Sequence, residues 1–200
     1  LLGTAYAMFN HEHEAIRELT RASEILPEDP EVHLNLGGVF MLQDMYESAA
    51  RCFRKVVEID PMDRLGYANL AAAYDIDKKY DEEIQALKKI LMFTPEDIEL
   101  RSALSTAYFN SENYDEALTH ALCVIELDEK DPQAYCNLGS CYSAQNMTDE
   151  AVEAFKKATE IDPDYSLPHT NLGSLYATIG RIEKAIKEFK LATSMNQSDS

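Results

Sequence analysis

Over its 200 residues the chain carries 36 acidic side chains against 18 basic ones, a net charge of −18 at pH 7. Repulsion on that scale argues against a nucleic-acid surface or an anionic-membrane surface. No apolar run approaches the length of a membrane span and no signal peptide is legible, so direct membrane insertion is not expected either.

A leucine recurs every 34 residues, at Leu2, Leu36, Leu70, Leu104, Leu138 and Leu172. A small residue follows each one (Gly3, Gly37, Ala71, Ser105, Gly139, Gly173), and one helical turn after each leucine stands an aromatic (Tyr6, Phe40, Tyr74, Tyr108, Tyr142, Tyr176). That i, i+1, i+4 spacing makes one stripe of a first helix. Later in each repeat, Ala15, Ala49, Glu83, Ala117, Ala151 and Ala185 precede Leu19, Phe53, Leu87, Ala121, Phe155 and Phe189 by one turn, the stripe of a second helix. Each repeat is therefore predicted to be a helical hairpin, and a period of this length signals a stacked array.

In chain order the repeats run 1–29, with an incomplete first helix, then 30–63, 64–97, 98–131, 132–165 and 166–197, a single array over 1–200 with a three-residue tail. The opening inside a helix reads as a piece of a longer protein, with room for an upstream targeting segment. Asn10, Asp44, Lys78, Glu112, Asn146 and Gly180 fall between the two helices of their repeats. This slot suits a left-handed turn, which asparagine, aspartate and glycine tolerate better than lysine or glutamate. Asp29-Pro30 and Asp131-Pro132 pair an N-cap with a first-turn proline. Pro27, Pro61, Pro95 and Pro163 sit just past second helices. Acids such as Asp81, Glu82, Asp115, Glu116, Asp149 and Glu150 open second helices, where the dipole favours negative charge. Glu47 and Arg51, Glu153 and Lys157, and Glu183 and Lys187 are spaced as surface ion pairs.

The LG..Y, A...F..A and terminal-proline pattern of these residues resembles that of tetratricopeptide repeats, and the resemblance covers the whole chain. It implies an all-α protein, a right-handed α-solenoid of six helix-turn-helix repeats, the first incomplete. First helices would line a concave inner surface and second helices would form most of the outer one.

Cys52, Cys123, Cys136 and Cys141 match neither a zinc spacing nor a redox CxxC, and they fall on helices. They read as small buried apolar residues, and the lack of an evident disulfide framework points to a reducing, cytoplasmic setting. His11-Glu12-His13-Glu14 lacks the HExxH spacing, and residues two apart point to different sides of a helix, so no metal is expected. His33 and His169 take a slot where the family usually has a large apolar residue, and are read as packed histidines. No Ser-His-Asp or Cys-His arrangement, phosphate loop or paired-carboxylate pocket assembles from the pattern, so the chain is predicted to be no enzyme and to need no cofactor.

The inner surface is the candidate site. Asn35, Asn69, Asn137 and Asn171 stand immediately before the signature leucine in four repeats, with Ala103 breaking the series. An amide offers both a donor and an acceptor, and so reads a peptide backbone whatever its side chains are. The series resembles the asparagine array of the O-linked N-acetylglucosamine transferase repeats, whose groove binds extended polypeptide. Hydrogen bonding on the helix surface or between repeats is the alternative use of the same amides. Met41, Leu42, Ile76 and Phe109 add an apolar strip, and Glu31, Asp75 and Glu99 add negative charge. Leu34, Ala68, Ser102, Cys136 and Thr170, with Gly38, Ala72, Thr106, Ser140 and Ser174, lack the cations that would clamp a C-terminal carboxylate. The expected partner is a neutral-to-basic peptide or helix with apolar anchors, held by a non-catalytic adaptor. A self-assembling scaffold, joined through repeat ends or convex faces into a homo-oligomer, is the alternative, and the substrate-recruiting arm of a larger enzyme is a third reading. Glu83 replaces the small residue of its register and Arg101 replaces a large apolar one. An ion pair between them is one expectation, and Glu83 reaching solvent is the other.

Overall fold

The computed structural model describes residues 12–198, and among these the chain is all helix. Leu2, Gly3, Tyr6, Asn10 and His11 lie outside the described residues. The opening helix, α1 (Glu12–Ile25), is followed by hairpin pairs: α2 (Pro30–Leu42) with α3 (Tyr46–Ile59), α4 (Arg64–Ile76) with α5 (Tyr80–Leu91), α6 (Ile98–Asn110) with α7 (Tyr114–Leu127), α8 (Pro132–Ala144) with α9 (Thr148–Ile161), and α10 (Ser166–Thr178) with α11 (Ile182–Ser198). The chain divides into two compact halves, residues 1–95 and 96–200. Within each half, successive helices pack on one another as a stack of hairpins, an α-solenoid.

First helices start at aspartates. Asp29 and Asp131 cap α2 and α8 as expected, their Oδ1 atoms accepting from the Glu31 and Ala134 backbone N–H groups at 3.0 Å. The same register holds Asp63 and Asp97, which cap α4 and α6 through Gly66 N–H at 2.7 Å and Leu100 N–H at 3.0 Å. Tyr165 ends that series and makes no side-chain cap. Each hairpin turn is made by one residue with positive φ, 55° at Asp44, 57° at Lys78, 63° at Glu112, 62° at Asn146 and 75° at Gly180. The residue after it donates its backbone N–H to the carbonyl of the signature aromatic. Met45 bonds Phe40, Lys79 bonds Tyr74 and Arg181 bonds Tyr176, at 2.8–2.9 Å. This is the helix-ending turn that uses up an otherwise unpaired carbonyl of the first helix, and the second helices α3, α5, α7 and α9 that follow carry no side-chain cap.

The two helices of a hairpin meet where the small residue of the first faces the bulky residue of the second. A Cβ added to Gly37, Gly139 or Gly173 would lie 2.5–2.7 Å from the ring of Phe53, Phe155 or Phe189. The repeat over 64–97 keeps the sum of the two volumes, alanine at 71 accompanying leucine at 87, whereas the repeat over 98–131 pairs two small residues, serine at 105 and alanine at 121. Ser105 is fully buried and donates its hydroxyl to the Ala117 carbonyl at 2.9 Å, so the polar atom is satisfied.

Surface charge follows the sequence less closely. Arg51 turns to Ser48 Oγ at 3.0 Å and Lys157 to Glu160 at 3.6 Å, in place of the expected partners Glu47 and Glu153. Exposed pairs gain so little that a neighbouring hydroxyl or carboxylate one turn away competes evenly.

Gly139→Ala is expected to cost about 1–3 kcal/mol by overpacking. Adding Phe155→Leu, which recreates the Ala71–Leu87 combination, should recover part of that loss. Urea denaturation of the two single variants and the double variant measures the coupling; simple additivity of the two losses would refute the volume exchange.

Candidate functional site

The expected site residues all lie on first helices. In the N-terminal half, α2 carries Glu31 and Leu42 exposed, with Asn35 and Met41 partly buried, and α4 carries Asp75 and Ile76 exposed, with Asn69 partly buried. In the C-terminal half, α6 carries exposed Glu99 and partly buried Phe109, whose ring tilts against Tyr114 with centroids 5.6 Å apart. Asn137 on α8 and Asn171 on α10 are partly buried. In this half α6, α8 and α10 lie side by side, α8 touching both of the others.

These two amides share one arrangement. Asn137 Nδ2 points to Thr106 Oγ1 at 3.5 Å, and Asn171 Nδ2 to Ser140 Oγ at 3.4 Å, each partner lying 31 residues earlier on the preceding first helix. Asn171 Nδ2 also approaches Cys136 Sγ at 3.6 Å, and Asn137 Oδ1 accepts from Gln133 Nε2 at 2.9 Å. The inter-repeat use of the amides is therefore present in this half, through contacts at the long limit of a hydrogen bond. Asn69 has the same register, but the matching position 31 residues earlier is Gly38, which has no hydroxyl to offer.

Between α8 and α10 opens a cavity of about 350 Å³, closed at one side by Phe109 of α6. Ser140, Ser143, Asn171, Ser174 and Thr178 line it together with Leu175 and Ile179. Thr170, Ser174 and Thr178 form a ladder along α10, each donating its hydroxyl to the carbonyl four residues back at 3.0–3.2 Å. Ser140 does the same to Cys136, at 3.0 Å. Ser143, Thr178 and Ile179 were not singled out from the sequence, although the i, i+4, i+8 spacing of hydroxyls at 170, 174 and 178 was a legible signal.

Glu83 does not reach solvent. It is only 7% exposed, and its Oε2 is buried without a hydrogen-bond partner. Burial first, and the nearby Asp75 carboxylate second, push its pKa from about 4.5 up to about 7. The four cysteines are free. Burial pushes Cys52, Cys136 and Cys141 up to about 11, so these thiols are protonated and poor nucleophiles at neutral pH. His33 and His169 are partly buried and bonded: a ring nitrogen of His33 lies 2.9 Å from the Pro27 carbonyl, and His169 Nδ1 lies 2.7 Å from Glu188 Oε2. Among the described residues no helix is long and apolar enough to cross a membrane.

Tetratricopeptide-repeat family models match residues 30–62, 132–165 and 154–187. No curated protein sequence matches the chain. Among solved structures the chain is similar to MamA from Desulfovibrio magneticus RS-1, at 19% identity and a TM-score of 0.71 over 84% of this chain and 96% of that one. It is also similar to YrrB, described as a tetratricopeptide-repeat protein with an unusual peptide-binding site, at 27% identity and 0.62 over 88% and 91%. A third is TTC0263, a thermophilic tetratricopeptide-repeat protein of Thermus thermophilus, at 19% and 0.65 over 86% and 93%. Residues 30–62 and 132–187 match tetratricopeptide repeats, and the described residues have the all-α fold that such repeats build.

Two substitutions test this geometry. A Cβ at Gly38 meets nothing within 4 Å. Gly38→Ser should supply Asn69 with the missing hydroxyl and raise stability by about 0.5–1.5 kcal/mol, from helix propensity and one hydrogen bond, measurable by thermal unfolding. For Glu83, a folded pKa above the unfolded one means the native state holds its proton longer, so the acid costs stability as pH rises from about 4.5 to about 7. Glu83→Gln should therefore be near neutral at the lower end of that window and stabilising above it, by at most roughly 3 kcal/mol. A stability difference between wild type and variant that stays flat across the window would refute the buried acid.

Proposed function

We propose that the chain is a non-catalytic adaptor that holds a peptide or helix of a partner protein against the exposed face of its first helices. The observation that carries this reading is the cavity between α8 and α10, where amides, hydroxyls and apolar side chains converge on a stack of tetratricopeptide repeats. The peptide-binding site of the YrrB structure, at 27% identity, supports it. The whole of 1–200 acts as one array of the six repeats bounded above.

Asn35, Asn69, Asn137 and Asn171 serve as backbone readers in the manner of the O-linked N-acetylglucosamine transferase array. At 3.4–3.5 Å the bonds that Asn137 and Asn171 make to neighbouring hydroxyls are weak enough to be exchanged for a ligand. Leu42, Ile76, Met41 and Phe109 supply apolar anchors, and the exposed acids Glu31, Asp75 and Glu99 favour neutral-to-basic partners over nucleic acid. Free, largely buried cysteines fit a reducing compartment such as the cytoplasm. A second reading, homo-oligomerisation through repeat ends, draws on the exposed Ile182 and Ile186 of α11.

A photo-crosslinking residue placed at exposed Leu42 or Ile76 should capture neutral-to-basic peptides, whereas the same residue at Lys88 of α5 should not. Capture from Lys88 alone, or a preference for acidic C-terminal peptides, would overturn the proposal. Light scattering that shows mass rising with concentration would favour self-assembly.

A further inference from the structure

The cavity of the C-terminal half carries no formal charge in a chain whose net charge is −18. Phe109, Ser140, Asn171, Ser174, Thr178 and Ile179 all line it, and none is ionisable at neutral pH. A lysine or arginine of a ligand placed there would lose water without gaining a carboxylate, and an acid would lose water without gaining a cation. Its volume of about 350 Å³ falls in the range of small ligand sites and suits one or two side chains with their backbone.

The direction of the hydrogen bonds narrows the ligand further. Ser140, Ser174 and Thr178 each spend their hydroxyl hydrogen on the carbonyl of the preceding turn, at 3.0 Å, so what they turn outward is lone pairs. Asn171 directs its N–H groups at Ser140 and Cys136, which leaves Oδ1 as its outward atom. The α10 side of the cavity is a row of acceptors. Along α10, hydroxyls four residues apart are about 6 Å apart on the helix axis. The N–H groups on one side of an extended peptide repeat at about 6.6 Å, every second residue. An extended segment running along α10 can therefore set successive N–H groups against Thr170, Ser174 and Thr178, while one of its side chains drops between Phe109 and Ile179.

We infer that this cavity is a binding site for an uncharged, extended peptide segment that presents backbone or amide N–H donors to α10 and buries one branched or aromatic side chain against Phe109 and Ile179. The inference rests on the peptide-binding reading above and sharpens it, because it separates this neutral site from the acidic first helices of the N-terminal half.

The test uses the whole chain and three end-blocked octapeptide libraries with a central Leu, Ile, Phe or Tyr, flanked by Ala, Ser, Asn and Gln, by Lys and Arg, or by Asp and Glu. The neutral library should be retained about tenfold better than either charged one, equally at low and at physiological salt, because no charge takes part. Backbone N-methylation of a selected peptide beside its anchor should weaken it about tenfold, and Thr178→Val, at an exposed position, about threefold, as for one or two lost hydrogen bonds. Ser174→Phe, also exposed, should fill the cavity and abolish binding. A basic library retained only at low salt and indifferent to Ser174→Phe would overturn this site while leaving a peptide-binding adaptor intact. Neutral peptides indifferent to Ser174→Phe would overturn its location. Retention of no library would overturn both readings.

Discussion

The crossing of the two helices in each hairpin fixes everything built on it. A residue with little or no side chain on the first helix receives the ring or chain of a residue on the second, as Gly139 receives Phe155 with no room for a single added carbon. Because interiors are packed to near crystal density, the distance between the helices depends on the sum of the two volumes rather than on either residue. Glycine with phenylalanine and alanine with leucine are two solutions to one constraint, and serine with alanine is a smaller pair in which the serine hydroxyl bonds the Ala117 carbonyl. Phe155 also joins Leu172, Leu175 and Tyr176 of α10, so the same ring that closes one hairpin seats the next.

Once the hairpin is fixed, so is what faces outward on the first helices. The left-handed turn and its bond to the signature aromatic carbonyl set where the second helix begins, and the aspartate cap sets where the next first helix begins. Residues on the exposed side of α6, α8 and α10 therefore recur in register, and a hydroxyl at 106 or 140 comes to lie opposite an amide at 137 or 171. A polar surface that would otherwise be a chance mixture becomes an ordered row, which is the condition for reading an extended backbone.

Glu83 is the place where local and global preferences conflict. A carboxylate in the first turn of a helix is favoured by the dipole, but this one occupies the crossing position where the other repeats place alanine, and it is buried beside Asp75. The fold accommodates it by raising its pKa towards neutrality, so stability in the N-terminal half is tied to pH by one side chain.

The sequence by itself determined the helices, their pairing and their turns, because a strict 34-residue period repeats every local rule. The aromatic register, the proline stops and even the uncomfortable Lys78 and Glu112 turns are local signals of that kind, and all of the described turn residues adopt positive φ. The aspartate caps at 63 and 97 were equally local, and lay in the same register as Asp29. Tertiary structure alone decided matters that depend on what stands opposite a residue: the burial of Glu83, the bond of buried Ser105 to the Ala117 carbonyl, and the direction in which Asn137 and Asn171 turn their amides. It also decided that Ser140, Ser174 and Thr178 surround a neutral cavity. A period tells which residues share a face, but the volume and polarity of the space between two faces exist only once both are in place.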